Sequence, residues 1–315
     1  MTQVLTNGID ERALGSRGAA GASLVIRFEP IPVSKLWGRA EPSGWDCGLP
    51  FGGLQFGPEG DRRIGEVHHR LPAGAAGDVT EPLLLKTLYA ETMLSVQVHP
   101  DAAMAARLGL ARGKDEAWLI LEARPGARVG LGLREAMSAE ALRAAVEDGS
   151  IVEAMVWHEV RAGDALMVPA GTVHAIGAGM TMFEVQQNMD VTYRLHDHGR
   201  GRRLDVEQGL AVARREAWTA PAAVAPAGPG RDTLVSGGGF VMERVAGAGR
   251  LAPEAGRPVW VAAVAGEAVV GGVTVPQGFV ALVRGAVEVA GAVQLLLAQP
   301  GAVPQAGLWM PLEGG

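Results

Sequence analysis

The stretch Gly163-Asp-Ala-Leu-Met-Val-Pro-Ala-Gly-Thr-Val-His174 decides how this chain is read. Ala165 to Val168 is a short apolar run of strand type, Pro169-Ala-Gly171 is a tight turn, and His174 follows that turn on a separate strand. Glycine at each bend tolerates backbone angles that other residues resist. A histidine delivered by so short a turn is a ligand-type side chain held on regular structure.

Two other stretches carry side chains of the same kind. In Leu94-Ser-Val-Gln-Val-His-Pro-Asp101 the apolar residues alternate with polar ones, which places Ser95, Gln97 and His99 on one face of a strand. Gln97 and His99 then project the same way, about 7 Å apart along the backbone. In Gly113-Lys-Asp-Glu-Ala-Trp118 the carboxylate of Glu116 opens the next strand. Taken singly, His99 before a proline reads as a strand-ending polar residue and Glu116 as a turn charge. Together with His174 they make two imidazole nitrogens, a carboxylate and the Gln97 amide oxygen, a set of borderline hardness that suits a catalytic rather than a structural Zn²⁺.

The surrounding chain is β-rich. Short Val/Leu/Ile runs such as Leu83–Tyr89 and Ala117–Glu122 alternate with Gly and Pro between Val25 and Gly201. Asp101–Leu110, Ser138–Asp148 and Asp205–Trp218 read as short helices, the first two opened by capping residues. Residues 1–24 lack periodicity and are expected to form a flexible arm. Residues 25–218 then form a metal-binding catalytic domain, 219–231 a Pro/Ala/Gly linker, and 232–315 a smaller C-terminal β domain.

Composition narrows the function class. With 315 residues core volume is not limiting, and a net charge of -6 with scattered arginines gives no basic footprint for nucleic acid. Cys47 is the single cysteine and excludes an internal disulfide, in keeping with a reducing, cytoplasmic compartment. No run approaches the roughly 20 apolar residues that span a bilayer. A small-molecule partner is expected, and the oligomeric state is left open.

The spacing Gly163-x5-Pro169-x-Gly171-x2-His174 resembles the second sequence motif of cupin barrels. The blocks Leu94–Asp101, Gly113–Trp118, Val168–Gly177 and Glu184–Leu195 also resemble, in order, those of type I mannose-6-phosphate isomerases, over roughly Lys35 to Gly209. The resemblance implies an all-β fold, a cupin jelly-roll barrel with short peripheral helices and a smaller C-terminal cupin-like domain. It implies one Zn²⁺ per chain on Gln97, His99, Glu116 and His174, the four residues that ligand chemistry selects. It further implies interconversion of mannose 6-phosphate and fructose 6-phosphate by proton transfer through an enediolate.

By the same resemblance Lys86, Ser95, Lys114, Glu184 and Arg194 are substrate-binding, and Arg194, Asp190 and Lys114 are catalytic. Cations at Lys86, Lys114 and Arg194 suit a phosphosugar carrying about two negative charges. Asp190, Lys114 and a water on the metal stay open as the base. The chain departs from the family at Glu66-Val-His68-His69 and Arg194-Leu-His196-Asp197-His198, where histidines replace aromatics; these are expected in exposed loops or at the pocket rim. Rival expectations are another metal-dependent cupin enzyme of dioxygenase type and a non-catalytic sugar-phosphate sensor.

Overall fold

The structure, a computed structural model, describes residues 23–40, 44–45, 47–49, 63–75, 81–222 and 224–312. The chain lays down β1 (Leu24–Arg27), β2 (Glu29–Arg39), β3 (Ile64–Arg70), β4 (Leu83–Ala90) and β5 (Val96–Val98), followed by α1 (Ala102–Arg107), β6 (Glu116–Ala123) and β7 (Arg128–Leu133). Helices α2 (Ala139–Asp148) and α3 (Ile151–Ala154) precede β8 (Met155–Glu159), β9 (Ala165–Val168), β10 (His174–Ile176), β11 (Met180–Gln187) and β12 (Tyr193–His196), and α4 (Val206–Val212) follows. The remainder is strand and turn: β13 (Asp232–Gly237), β14 (Phe240–Ala246), β15 (Gly249–Leu251), β16 (Val259–Ala265), β17 (Ala268–Val270), β18 (Val273–Val275), β19 (Val280–Arg284), β20 (Val287–Ala290), β21 (Gln294–Pro300) and β22 (Trp309–Pro311).

These strands form four sheets arranged as two barrels. The first barrel pairs the sheet β2-β3-β4-β11-β6-β9 with the sheet β12-β5-β10-β7-β8, and between them lie Leu88, Trp118, Ile120, Val129, Ile176 and Met182. The second pairs β1-β19-β16-β21-β14-β13 with β18-β17-β20-β15-β22 around a Val- and Leu-rich core. Strand alternation explains the layering, because each six-stranded sheet buries apolar residues on both faces. The outer faces of the two sheets meet, with Phe183, Leu85 and Leu119 packed in one cluster with Phe240, Trp260 and Leu282. Helices α2, α3 and α4 cover the back of the five-stranded sheet of the first barrel, where Val96, Val98 and Leu195 meet Leu142 and Ile151.

One strand pairing goes beyond the sequence reading and one helix end is corrected. Among the described residues the first strand is β1, and it pairs outside the first barrel: Leu24 to Arg27 pair antiparallel with Arg284 to Ala281 of β19. The division at residue 218 is therefore crossed by a strand, for an edge strand joins whichever sheet offers it unpaired backbone groups. The third helix stops at Val212 rather than Trp218, and residues 213–218 are not helical, with Trp218 N donating to Leu133 O at 2.7 Å. The caps read from sequence are present: Asp101 accepts from Met104 N at 2.8 Å, and Ser138 from Ala141 N at 3.1 Å. Residues 1–22, most of the expected arm, lie outside the described residues. Among the described residues no helix is long and apolar enough to cross a membrane.

Candidate metal centre and substrate pocket

Three strands of the first barrel converge on one buried cluster. His99 follows β5, Glu116 opens β6, and His174 opens β10, and the ligand atoms of all three lie within 4.8 Å of one another. The turns on either side of β9 take the predicted form, with Gly163 at φ +94° before the strand and Gly171 at φ +85° after it. That turn is bonded to the other two ligand segments. Gly171 N donates to His99 O at 2.8 Å, and Ala170 N donates to the carboxylate of Asp115, beside Glu116, at 2.8 Å.

Each imidazole is oriented from behind. His99 Nδ1 lies 2.9 Å from Val191 O and His174 Nδ1 lies 2.9 Å from Thr172 O, so both Nδ1–H groups donate to backbone and both Nε2 lone pairs point into the cluster. His99 Nε2 is 3.2 Å from Glu116 Oε1, and His174 Nε2 is 3.7 Å from Glu116 Oε2. The edge of Trp118 packs on His174 with ring centroids 5.7 Å apart. Gln97 is the cross-strand partner of His174 on one side and of Arg194 on the other, placing it on the same face as both.

The electrostatics favour neutral rings and an ionised carboxylate. Burial, and then the charge of Lys114, bring His99 down to about 4, and burial lowers His174 as well. Burial alone would raise the Glu116 carboxyl, but the Lys114 ammonium outweighs it and holds it well below the usual carboxylate range. Lys114 itself is buried in the cluster, with Nζ 2.8 Å from Glu116 Oε1, 3.4 Å from His99 Nε2 and 3.5 Å from Thr192 Oγ1.

A polar row runs across the inner face of the six-stranded sheet, one step from Glu116. Register aligns His68 with Lys86, Lys86 with Glu184, and Glu184 with Trp118. Lys86 Nζ is 3.2 Å from Glu184 Oε1, and Trp118 Nε1 donates to Glu184 Oε2 at 3.2 Å. Burial would lower Lys86, but Glu184, Glu66 and Glu116 outweigh it and raise it, so the ammonium is secured. Ser95 is buried two residues before Gln97.

Two expected site residues stand apart from the cluster. Asp190 is exposed on the loop after β11, and Arg194, although in register with Gln97, directs its guanidinium to Arg203 O at 2.8 Å. The histidines also divide. His68 lies on the pocket face with Nε2 2.6 Å from Glu66 Oε2. His69 is no loop residue: it is fully buried on the opposite face and stacked on Phe183. His196 and His198 pack edge to face, 4.9 Å between centroids. Sequence reading passed over Gln186 and Glu66. The alternation Glu184, Gln186 along β11 is the signal that marks Gln186.

No protein-family model matches the chain. A mannose-6-phosphate isomerase of Streptococcus mutans serotype c is 41% identical over 152 residues, which cover 46% of this chain and 48% of the relative. The chain spans about half the length of the curated relatives it matches. Among solved structures, the mannose 6-phosphate isomerase of Bacillus subtilis is similar with a TM-score of 0.69 and 21% identity, covering 87% of this chain and 99% of that one. A zinc-bound mannose 6-phosphate isomerase is similar with a TM-score of 0.60 and 15% identity, covering 88% and 99%. The chain thus has the fold of mannose-6-phosphate isomerase structures over most of its length, and over 152 residues it is close in sequence to a curated enzyme of that name.

Proposed function

We propose that this protein is a zinc-dependent aldose–ketose isomerase that interconverts mannose 6-phosphate and fructose 6-phosphate. The buried His99–Glu116–His174 cluster carries the reading, supported by the likeness to mannose-6-phosphate isomerases in sequence and fold. The donor set fits the ion. Glu116 Oε2 and His174 Nε2 are buried acceptors with no hydrogen-bond partner among the described residues, an arrangement that is costly unless a cation or donor meets them. His99, Glu116 and His174 would hold Zn²⁺, with the Gln97 amide oxygen as fourth ligand. When bound, the ion supplies Lewis-acid polarisation of the sugar carbonyl.

The chain's own residues do the rest. Isomerisation moves one proton between the two carbons that exchange the carbonyl, while charge develops on the oxygens of an enediolate. Lys114 Nζ, inside the cluster, donates to that developing charge. A base must come within hydrogen-bond reach of the carbon it serves, and Asp190 stands exposed on the rim. Lys86, fixed by Glu184, and Ser95 bind the phosphate or the hydroxyls along the wall, and Arg194, in register with Gln97, reaches the anion when its guanidinium leaves Arg203 O. Trp118, Leu88 and Met182 close the far end and exclude water.

A coupled assay that converts mannose 6-phosphate to fructose 6-phosphate tests the proposal. Turnover abolished by a chelator and restored by Zn²⁺ is expected, whereas zinc-loaded protein without turnover overturns it.

A further inference from the structure

Gln186 is 1% exposed, and its side chain is bonded on one side only. Nε2 donates both hydrogens to loop carbonyls, to Gln187 O at 3.1 Å and to Met189 O at 3.0 Å. Those two acceptors settle which end of the amide is nitrogen, and they leave Oε1 pointing away from the loop. Oε1 is buried and has no donor among the described residues. A buried acceptor without a donor is rare in a folded chain and costs stability, so its retention calls for a partner that arrives from outside.

Its position says what that partner is. Gln186 is in register with Glu116 on the neighbouring strand, on the same face of the sheet as Glu184 and Met182. Directly opposed side chains on one face start about 5 Å apart at Cβ. The amide therefore stands beside the metal-binding cluster, one step along β11 from Glu184 and the row that carries Lys86. Beside the cations, the carboxylates, the metal ligands and the hydroxyls of Ser95 and Thr192, Gln186 offers a neutral amide oxygen whose orientation its own two N–H bonds fix, the chemistry that reads a hydroxyl. Resting on the isomerase reading above, we propose that Gln186 Oε1 accepts a hydrogen bond from one hydroxyl of the bound phosphosugar and is a specificity-determining residue of the pocket.

Titration calorimetry of the zinc-loaded and the metal-free protein tests this, with sorbitol 6-phosphate as a probe that has no carbonyl and cannot turn over. A series of analogues, each lacking one hydroxyl, completes the cycle. Gln186→Met removes acceptor and donors together. Gln186→Lys keeps N–H donors for Gln187 O and Met189 O and removes the acceptor, but it adds a positive charge beside the cluster, so its zinc content is measured first. Both variants are expected to bind sorbitol 6-phosphate about tenfold more weakly, equivalent to about 1.4 kcal/mol, with bound zinc unchanged. They are also expected to bind one of the analogues as well as the wild type does, since that analogue lacks the hydroxyl concerned. Uniform weakening across the series means that Gln186 only anchors the loop, and undiminished binding means that it touches no ligand; either result overturns the inference and leaves the isomerase reading standing. Failure of the wild-type protein itself to bind the probe overturns both.

Discussion

The amide of Gly171 donates to the carbonyl of His99 at 2.8 Å, so the turn that delivers one imidazole is bonded to the residue that supplies the other. With Ala170 bonded to Asp115, the same three-residue turn sets the spacing of all three ligand segments. The preorganisation of the cluster resides in backbone rather than in the ligands.

Gly171→Ala tests that coupling. At φ +85° any Cβ is strained, and here it would meet the Arg214 side chain at 3.0 Å and Val212 O at 3.3 Å. The left-handed backbone alone costs about 1–2 kcal/mol. The variant is expected to lose that much in urea unfolding and to bind zinc more weakly, although no ligand has been changed. Wild-type zinc affinity in a destabilised variant would show the turn to be passive.

Removing a ligand and removing a substrate cation should separate metal from turnover. Glu116→Ala is expected to lose zinc and activity together, as read by metal analysis of the purified protein. Arg194→Ala is expected to keep zinc and lose turnover. Retention of zinc by Glu116→Ala would sink the ligand assignment.

His69 makes the fold sensitive to acid. Burial, followed by the charge of His68, lowers its folded pKa to about 3 from the ordinary 6.5. Between these values the unfolded chain takes up a proton that the folded chain refuses, so the contribution is intact above pH 6.5 and is lost as pH falls toward 3. One such proton gives a slope of up to about 1.4 kcal/mol per pH unit. His69→Phe, in a ring already stacked on Phe183, is expected to flatten the pH dependence of unfolding free energy between pH 6 and 4 by up to that amount. Parallel curves for the two proteins would refute this.

A buried ion pair ties the linker to the second barrel. Arg231 lies 2.7 Å from Glu243, both almost wholly inaccessible, and Gln299 donates to the same carboxylate at 2.6 Å. Arg231→Met leaves a buried carboxylate without its cation and is expected to cost about 3–5 kcal/mol. The double variant with Glu243→Leu should recover part of that loss in the same denaturation experiment, and a strictly additive result would argue against the pairing.

The candidate ligands were legible because a strand exposes its arithmetic. The period of two puts Ser95, Gln97 and His99 together, and Pro169-Ala-Gly171 announces the turn before His174. The polar row His68, Lys86, Glu184 was legible only one strand at a time, since the register joining three strands is not written in any of them. Asp190 and Lys114 look equally placed in sequence, one beside Val191 and the other beside Asp115. The fold buries Lys114 against Glu116 and leaves Asp190 in solvent.

The order of amino acids by itself determined the strand-and-turn grammar, the ligand types and the face each occupies, because these depend on neighbours within a few residues. Tertiary structure alone decided that β1 crosses to the second barrel, that His69 points into the core between the sheets while His68 faces the pocket, and that Gln186 retains a free acceptor beside Glu116. Each of these depends on which distant strand supplies the missing hydrogen bonds and apolar contacts, and such pairings are fixed by the packing of the whole chain.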